Sequence, residues 1–170
     1  DGSGYVDQLI LDANSRISLS NNDNNTGNTV FGKTAFNAGS DNASDWNVAV
    51  GELAMGTGTV SGATYNTALG YKAMEDVTGG DANVAVGSFA GANITTGVSN
   101  VAIGAYDGTN FGALHVNTVG SFNIAIGTKA LGTANENDND GSIAIGHLAC
   151  AVQAGTGGAQ FASATVGIGY

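Results

Sequence analysis

Glu136, Asp138 and Asp140 set three carboxylates at alternate positions, followed by Gly141 and the apolar Ile143. A hard cation such as calcium takes oxygen ligands at this spacing, because alternate side chains of a tight loop converge on one point while glycine permits the turn. The set lacks its closing acid, since His147 stands at the twelfth place of the loop. Two readings stay open: a calcium site carried by Glu136, Asp138 and Asp140, and a solvated acidic turn. Asp41 and Asp45 bracket a weaker version of the pattern.

Catalysis asks for more than this chain offers. Neither His115 nor His147 has a serine, cysteine or carboxylate partner placed by a motif. Cys150 recurs at a place held elsewhere by Phe36, Met55, Met74 and Leu131, so it reads as a buried core thiol and not a nucleophile. The expectation is a protein that is not an enzyme.

Binding has better candidates. Residues 105–122 hold Tyr106, Asp107, Asn110, Phe111 and His115, and residues 151–164 hold Gln153, Gln160 and Phe161. Aromatic rings beside amide and carboxylate groups suit a carbohydrate or another receptor surface, and loops on a rigid scaffold are where recognition concentrates. The competing reading is that Tyr106 and Phe111 pack their own loop down.

The scaffold that must position these loops is written as a repeat. Eight segments align: Asn28–Gly32, Asn47–Gly51, Asn66–Gly70, Asn83–Gly87, Asn100–Gly104, Asn123–Gly127, Ser142–Gly146 and Thr165–Gly169. Their closing glycines are 19, 19, 17, 17, 23, 19 and 23 residues apart, a spacing too short for helix pairs and suited to one coil of a β-solenoid. The two spacings of 23 mark the two candidate recognition loops. Three residues after the glycine comes Ala35, Ala54, Ala73, Ala90, Ala130 or Ala149, with Asp107 as the exception. Gly91 and Gly108 replace the bulky residue that follows, and Gly167 replaces the motif alanine in the last copy.

Within a copy the period is two, which predicts strands with unlike faces. Val101 and Ile103 share one face, Ala102 and Gly104 the other. The bulky row is expected inside each coil, stacked at about 4.8 Å, for a rod of about 35–40 Å. The flat Ala/Gly row is then left to face a second copy, unless small residues merely fit a cramped corner. Asparagine at the head of six copies can bond neighbouring backbone, tolerate left-handed turns and stack as a ladder.

Composition agrees. The 170 residues include no proline, where ordinary usage would supply roughly eight, as expected if most backbone N–H groups donate to a ladder. Net charge is −10, and Arg16, Lys33, Lys72 and Lys129 are the only strong cations, so the basic footprint of a nucleic-acid or anionic-lipid binder is missing. No apolar run reaches the length of a membrane-spanning helix, which predicts a soluble chain without membrane insertion. A single cysteine excludes an intrachain disulfide framework. Residues 1–27 fit the repeat poorly and are expected to form cap or connector strands, with the repeat domain over 28–170. The start at Asp1, without a leader, predicts a piece of something longer.

Asn66-Thr-Ala-Leu-Gly-Tyr-Lys-Ala-Met74 and Asn100-Val-Ala-Ile-Gly104 resemble the repeats of trimeric autotransporter adhesin heads, which recur in bacteriophage tail fibres. The spacings here are closer to the phage form. The resemblance covers about residues 28–170 and implies an all-β, left-handed parallel β-roll of about eight short coils, wound into a homotrimer. It further implies an extracellular virion fibre that attaches to a host-surface polysaccharide or protein receptor. A bacterial adhesin head binding host matrix and a purely structural spacer are the alternatives. Function does not travel with a solenoid, so the loops have to decide.

Overall fold

The computed structural model describes residues 26–37, 43–132, 140–151 and 165–169. Each repeat copy forms one three-residue strand: β1 (Thr29–Phe31), β2 (Val48–Val50), β3 (Thr67–Leu69), β4 (Val84–Val86), β5 (Val101–Ile103), β6 (Ile124–Ile126), β7 (Ile143–Ile145) and β8 (Val166–Ile168). All pair in parallel and in chain order, so the molecule is an all-β solenoid. Equivalent residues stack without slippage, as in Ala68↔Ala85 and Ala85↔Ala102. Among the described residues there is no helix, and so none long and apolar enough to cross a membrane. The expected cap strands near residues 9–11 and 17–19 lie outside the described residues.

Strands stop after three residues because the next residue is glycine in a conformation that side chains disfavour. Gly87 has φ 122°, and a Cβ there would sit 2.8 Å from the carbonyl carbon and oxygen of Gly104 in the following coil. Further corners use left-handed residues that are not glycine, up to three in a coil, as Trp46, Leu53 and Met55 show with φ of 57°, 59° and 51°. Each such corner costs about 1 kcal/mol, which the stacked coils offset through hydrogen bonds at the corners themselves. Leu53 N–H donates to the Lys33 carbonyl at 3.1 Å, and Met55 N–H to the Ala73 carbonyl at 3.0 Å. The ladder therefore runs through the turns as well as the strands, and it explains the missing proline.

Strand orientation reverses the expectation. Ala49, Ala68, Ala85, Ala102, Ala125 and Ala144 are wholly buried, while Ile103 and Ile145 are exposed and Val101 is half-buried. The alanine row lines the inside of the coil, and the β-branched row faces out. Alternation separates two faces without saying which is inner; the width of the coil decides it. Inside, the alanines share their space with Met55, Met74, Leu114 and Leu131 from the opposite wall and with Val60, Val77 and Ile94, leaving no depth for a second bulky row. The recurring large residue after the glycine is thus a core residue, as its pattern implied.

Asparagine also points inward. Asn47, Asn66, Asn83, Asn100 and Asn123 are fully buried, and each accepts the backbone N–H of the next ladder member on its own Oδ1, at 2.9 Å from Asn66 to Asn47 and 3.0 Å from Asn123 to Asn100. The Nδ2 of Asn83 donates to Asn66 Oδ1 at 3.1 Å and to the Gly97 carbonyl at 2.8 Å. A buried amide is thereby satisfied on both sides. The left-handed residue is the one before it, as in Tyr65, Ala82, Ser99 and Phe122, and not the asparagine.

The departures from the repeat have structural reasons. Gly91 leaves room that Ile94 fills. A Cβ at Gly167 would run into Cys150 Sγ, so the last copy carries glycine where others carry alanine. Cys150 does pack against the core, but it is half-buried and not sealed within it.

Candidate recognition face

In the fifth copy the expected exception at Asp107 resolves into an insertion. Ala113 N–H donates to the Gly104 carbonyl at 3.2 Å, the bond that Ala54 makes to Gly51, and buried Leu114 takes the place of Met55. Residues 105–110 are therefore extra chain, and Phe111 is where the regular coil resumes, its carbonyl accepting from Lys129 N–H at 3.0 Å.

Asp107 builds this loop. Its Oδ1 accepts the N–H groups of Thr109 at 2.9 Å and Asn110 at 2.7 Å, and its Oδ2 accepts from Asn110 Nδ2 at 3.1 Å. These donors, with a smaller contribution from the charge of His147, hold its carboxyl down at about 2. The Tyr106 hydroxyl donates to the Gly108 carbonyl at 2.9 Å. Asp107 and Asn110 thus spend their polar atoms on the loop, and Tyr106 and Phe111 are left with exposed rings.

Those rings belong to a larger group with Phe89 at its hub. Tyr71, Tyr106 and Phe111 each meet Phe89 edge to face, with centroids 5.4, 5.7 and 5.6 Å away. His115 lies flat on Phe111 at 4.0 Å and 4°. Burial under these rings pulls the His115 imidazole below its ordinary range, although a hydrogen bond to the Phe89 carbonyl and the charges of Glu75 and Asp76 act the other way. Its Nδ1 is buried with no hydrogen-bond partner. Lys72 Nζ lies 5.8 Å from the Tyr71 ring centroid and 5.5 Å from that of Phe89, and pairs with Glu75 at 2.9 Å. That pairing raises the Lys72 pKa against the opposing effect of burial. Asp76 is raised, first by burial and then by Glu75.

Of the residues marked by sequence, the fold brings together Tyr106, Asp107, Asn110, Phe111 and His115. It adds Tyr71, Phe89, Lys72 and Glu75, which the sequence reading missed. The register held the signal: Tyr71 stands first after Gly70 and Phe89 second after Gly87, so they lie one coil apart, with Phe89 N–H donating to the Tyr71 carbonyl at 2.9 Å. Gln160 and Phe161 lie outside the described residues, as do Glu136 and Asp138. Asp140 is described, and its Oδ1 accepts the backbone N–H of Ser121 at 2.6 Å in the preceding coil. Asp81 does the same for Thr64 at 2.7 Å, so this carboxylate has a structural task of coil-to-coil bonding. Among the described residues no group of three metal-ligating side chains comes together.

A second exposed surface is the outer face of the sheet. Two β-branched or apolar rows run its length, through Val48, Thr67, Val84, Val101 and Ile124, and through Val50, Leu69, Val86, Ile103 and Ile126. Trp46, Tyr65 and Phe122 extend it sideways, with Trp46 and Tyr65 stacked at 4.9 Å. No family model, curated protein or solved structure matches this chain.

Proposed function

We propose that this chain is a rigid segment of an extracellular attachment fibre of the bacteriophage tail-fibre kind, self-associating as a homotrimer and presenting the 105–115 face to a receptor on the host surface. One observation carries the assembly: the outer sheet rows contain no charged residue over all eight strands and are left half-buried or exposed in a single copy. A contiguous apolar face of this length is an interaction surface, and further copies of the chain carry the same rows at the same spacing. The flat alanine row, expected to meet the partner, is inside the coil; the partner-facing role passes to the Val/Ile row.

The solenoid supplies stiffness, because every coil is bonded to the next through strands, corners and the asparagine ladder. Receptor binding falls to the exposed rings around Phe89, and a host-surface glycan is the ligand class those rings suit. A bacterial adhesin head would use the same scaffold, and the parent gene separates the two, through a C-terminal membrane β-barrel or a virion neighbourhood. Light scattering on the purified chain tests the assembly, with a mass near three times 16.7 kDa expected. A stable folded monomer at low concentration would sink it.

A further inference from the structure

The face around Phe89 carries a statement about ligand charge that goes beyond a general role in attachment, although it rests on the proposal that this face binds a host-surface glycan. Three rings, Tyr71, Tyr106 and Phe111, are 43%, 42% and 44% exposed although each packs against the same half-buried Phe89. His115 covers one face of Phe111, so the exposure of Phe111 falls on its opposite face and rim. An aromatic face is electron-rich, and the C–H groups on the apolar side of a pyranose ring carry the complementary partial charge.

The polar groups bordering the rings nearly all accept hydrogen bonds. Glu75 and Asp76 bring carboxylates, Glu75 buried and Asp76 partly exposed, while His115 Nδ1 is sealed beneath the rings and its other nitrogen donates to the Phe89 carbonyl. The one cation, Lys72, is already held by Glu75 at 2.9 Å and lies against two rings. A ligand for such a face brings hydroxyl donors and no negative charge. Uronate- or sialate-bearing chains would meet carboxylates and find no free cation among these residues.

We infer that Tyr71, Tyr106 and Phe111 form a stacking platform for an uncharged hexose glycan, with the partly exposed Asp76 accepting hydrogen bonds from its hydroxyl groups and the Glu75 carboxylate beneath it disfavouring an anionic ligand. Phe89 sets the rings at their angles and Lys72 steadies Phe89 and Tyr71. Phe89 is a positioning residue, and its loss would disturb fold and platform together. The informative substitutions are therefore at the exposed rings.

The experiment uses the complete chain in its assembled form against immobilised neutral glucans, mannans and galactans, beside uronate- and sialate-bearing polymers. Neutral polymers are expected to bind, and Phe111→Ala and Tyr71→Ala each to weaken that binding about tenfold at an unchanged melting temperature. Tyr71→Phe, which keeps the ring, is expected to bind as the parent does. Preferential binding of the acidic polymers overturns the inference. Undiminished neutral binding in both alanine variants overturns the platform and leaves receptor attachment standing elsewhere on the chain. Binding of no glycan at all removes the inference together with the glycan reading of the attachment face, and binding of a host surface protein in its place has the same effect.

Discussion

Asn83 donates twice to the carboxamide oxygen of Asn66 in the coil before it, through its backbone N–H at 2.9 Å and its Nδ2 at 3.1 Å. The same side chain accepts from Asn100 and donates to the Gly97 carbonyl, so one residue ties three coils and a turn. Replacing Asn83 by alanine leaves several buried backbone and amide groups unpaired, at a cost of about 3 kcal/mol. Urea denaturation is the measurement. Asn83→Ser is expected to cost less, because Ser142 occupies the equivalent place in the seventh copy; equal losses for the two variants would argue that volume and not hydrogen bonding matters there.

The glycine that closes each strand should be far less replaceable than a glycine in a turn. Gly87→Ala forces a Cβ against the Gly104 carbonyl from a φ of 122°, and a loss of about 3 kcal/mol is expected. Gly62 has φ 79° with nothing within 4 Å of an added Cβ, so Gly62→Ala should cost about 1 kcal/mol. Thermal melts of the two single variants compare them directly, and a Gly87→Ala protein as stable as Gly62→Ala would contradict the tight coil spacing.

Ile103 stands in the middle of the outer sheet face and is exposed in one copy. A lysine there is expected to weaken self-association by a factor of about ten or more, since it would bury an unpaired charge at the proposed contact. Trp46, the single tryptophan, extends this face and is 49% exposed. Its emission should shift to longer wavelength as the assembly is diluted apart. Sedimentation of Ile103→Lys beside the parent chain checks the claim, and unchanged mass would place the contact elsewhere.

His115 makes the 105–115 face sensitive to acid. Its folded-state pKa lies below the ordinary value near 6.5, chiefly through burial, so the folded state binds fewer protons than the unfolded chain in that range. The stability it contributes is present above about pH 6.5 and is lost as pH falls toward the depressed folded value. Asp76, raised first by burial and then by Glu75, acts in the reverse sense, favouring the folded state as its carboxylate is protonated. Melting temperatures between pH 8 and 5 should therefore fall more steeply for the parent than for His115→Gln. Parallel curves would mean that the imidazole reaches solvent freely.

Much of this architecture is legible in the order of residues. The copies mark all eight strands, the recurring Met55, Met74 and Leu131 mark a core row, and the absence of proline reports a continuous N–H ladder. The interval of 23 residues at Gly104 locates the insertion, because the coils are otherwise so regular that extra chain can only leave the stack sideways. Less legible is the Ala113–Leu114 pair: with no hydrogen bonds in view, Asp107 reads as a substitution when it belongs to added residues.

By itself the sequence determined the period of the repeat, and with it the parallel stacking of equivalent residues, since only in-register stacking satisfies buried asparagines with one another. Tertiary structure alone decided which face of each strand turns inward. Alternation is symmetric between Ala102 and Ile103, and the choice depends on coil width, which the left-handed corners and the large residues of the opposite wall set together. The same step decided the recognition face: Tyr71, Phe89, Phe111 and His115 are scattered along the chain, and they meet because three coils bring their corners to one side.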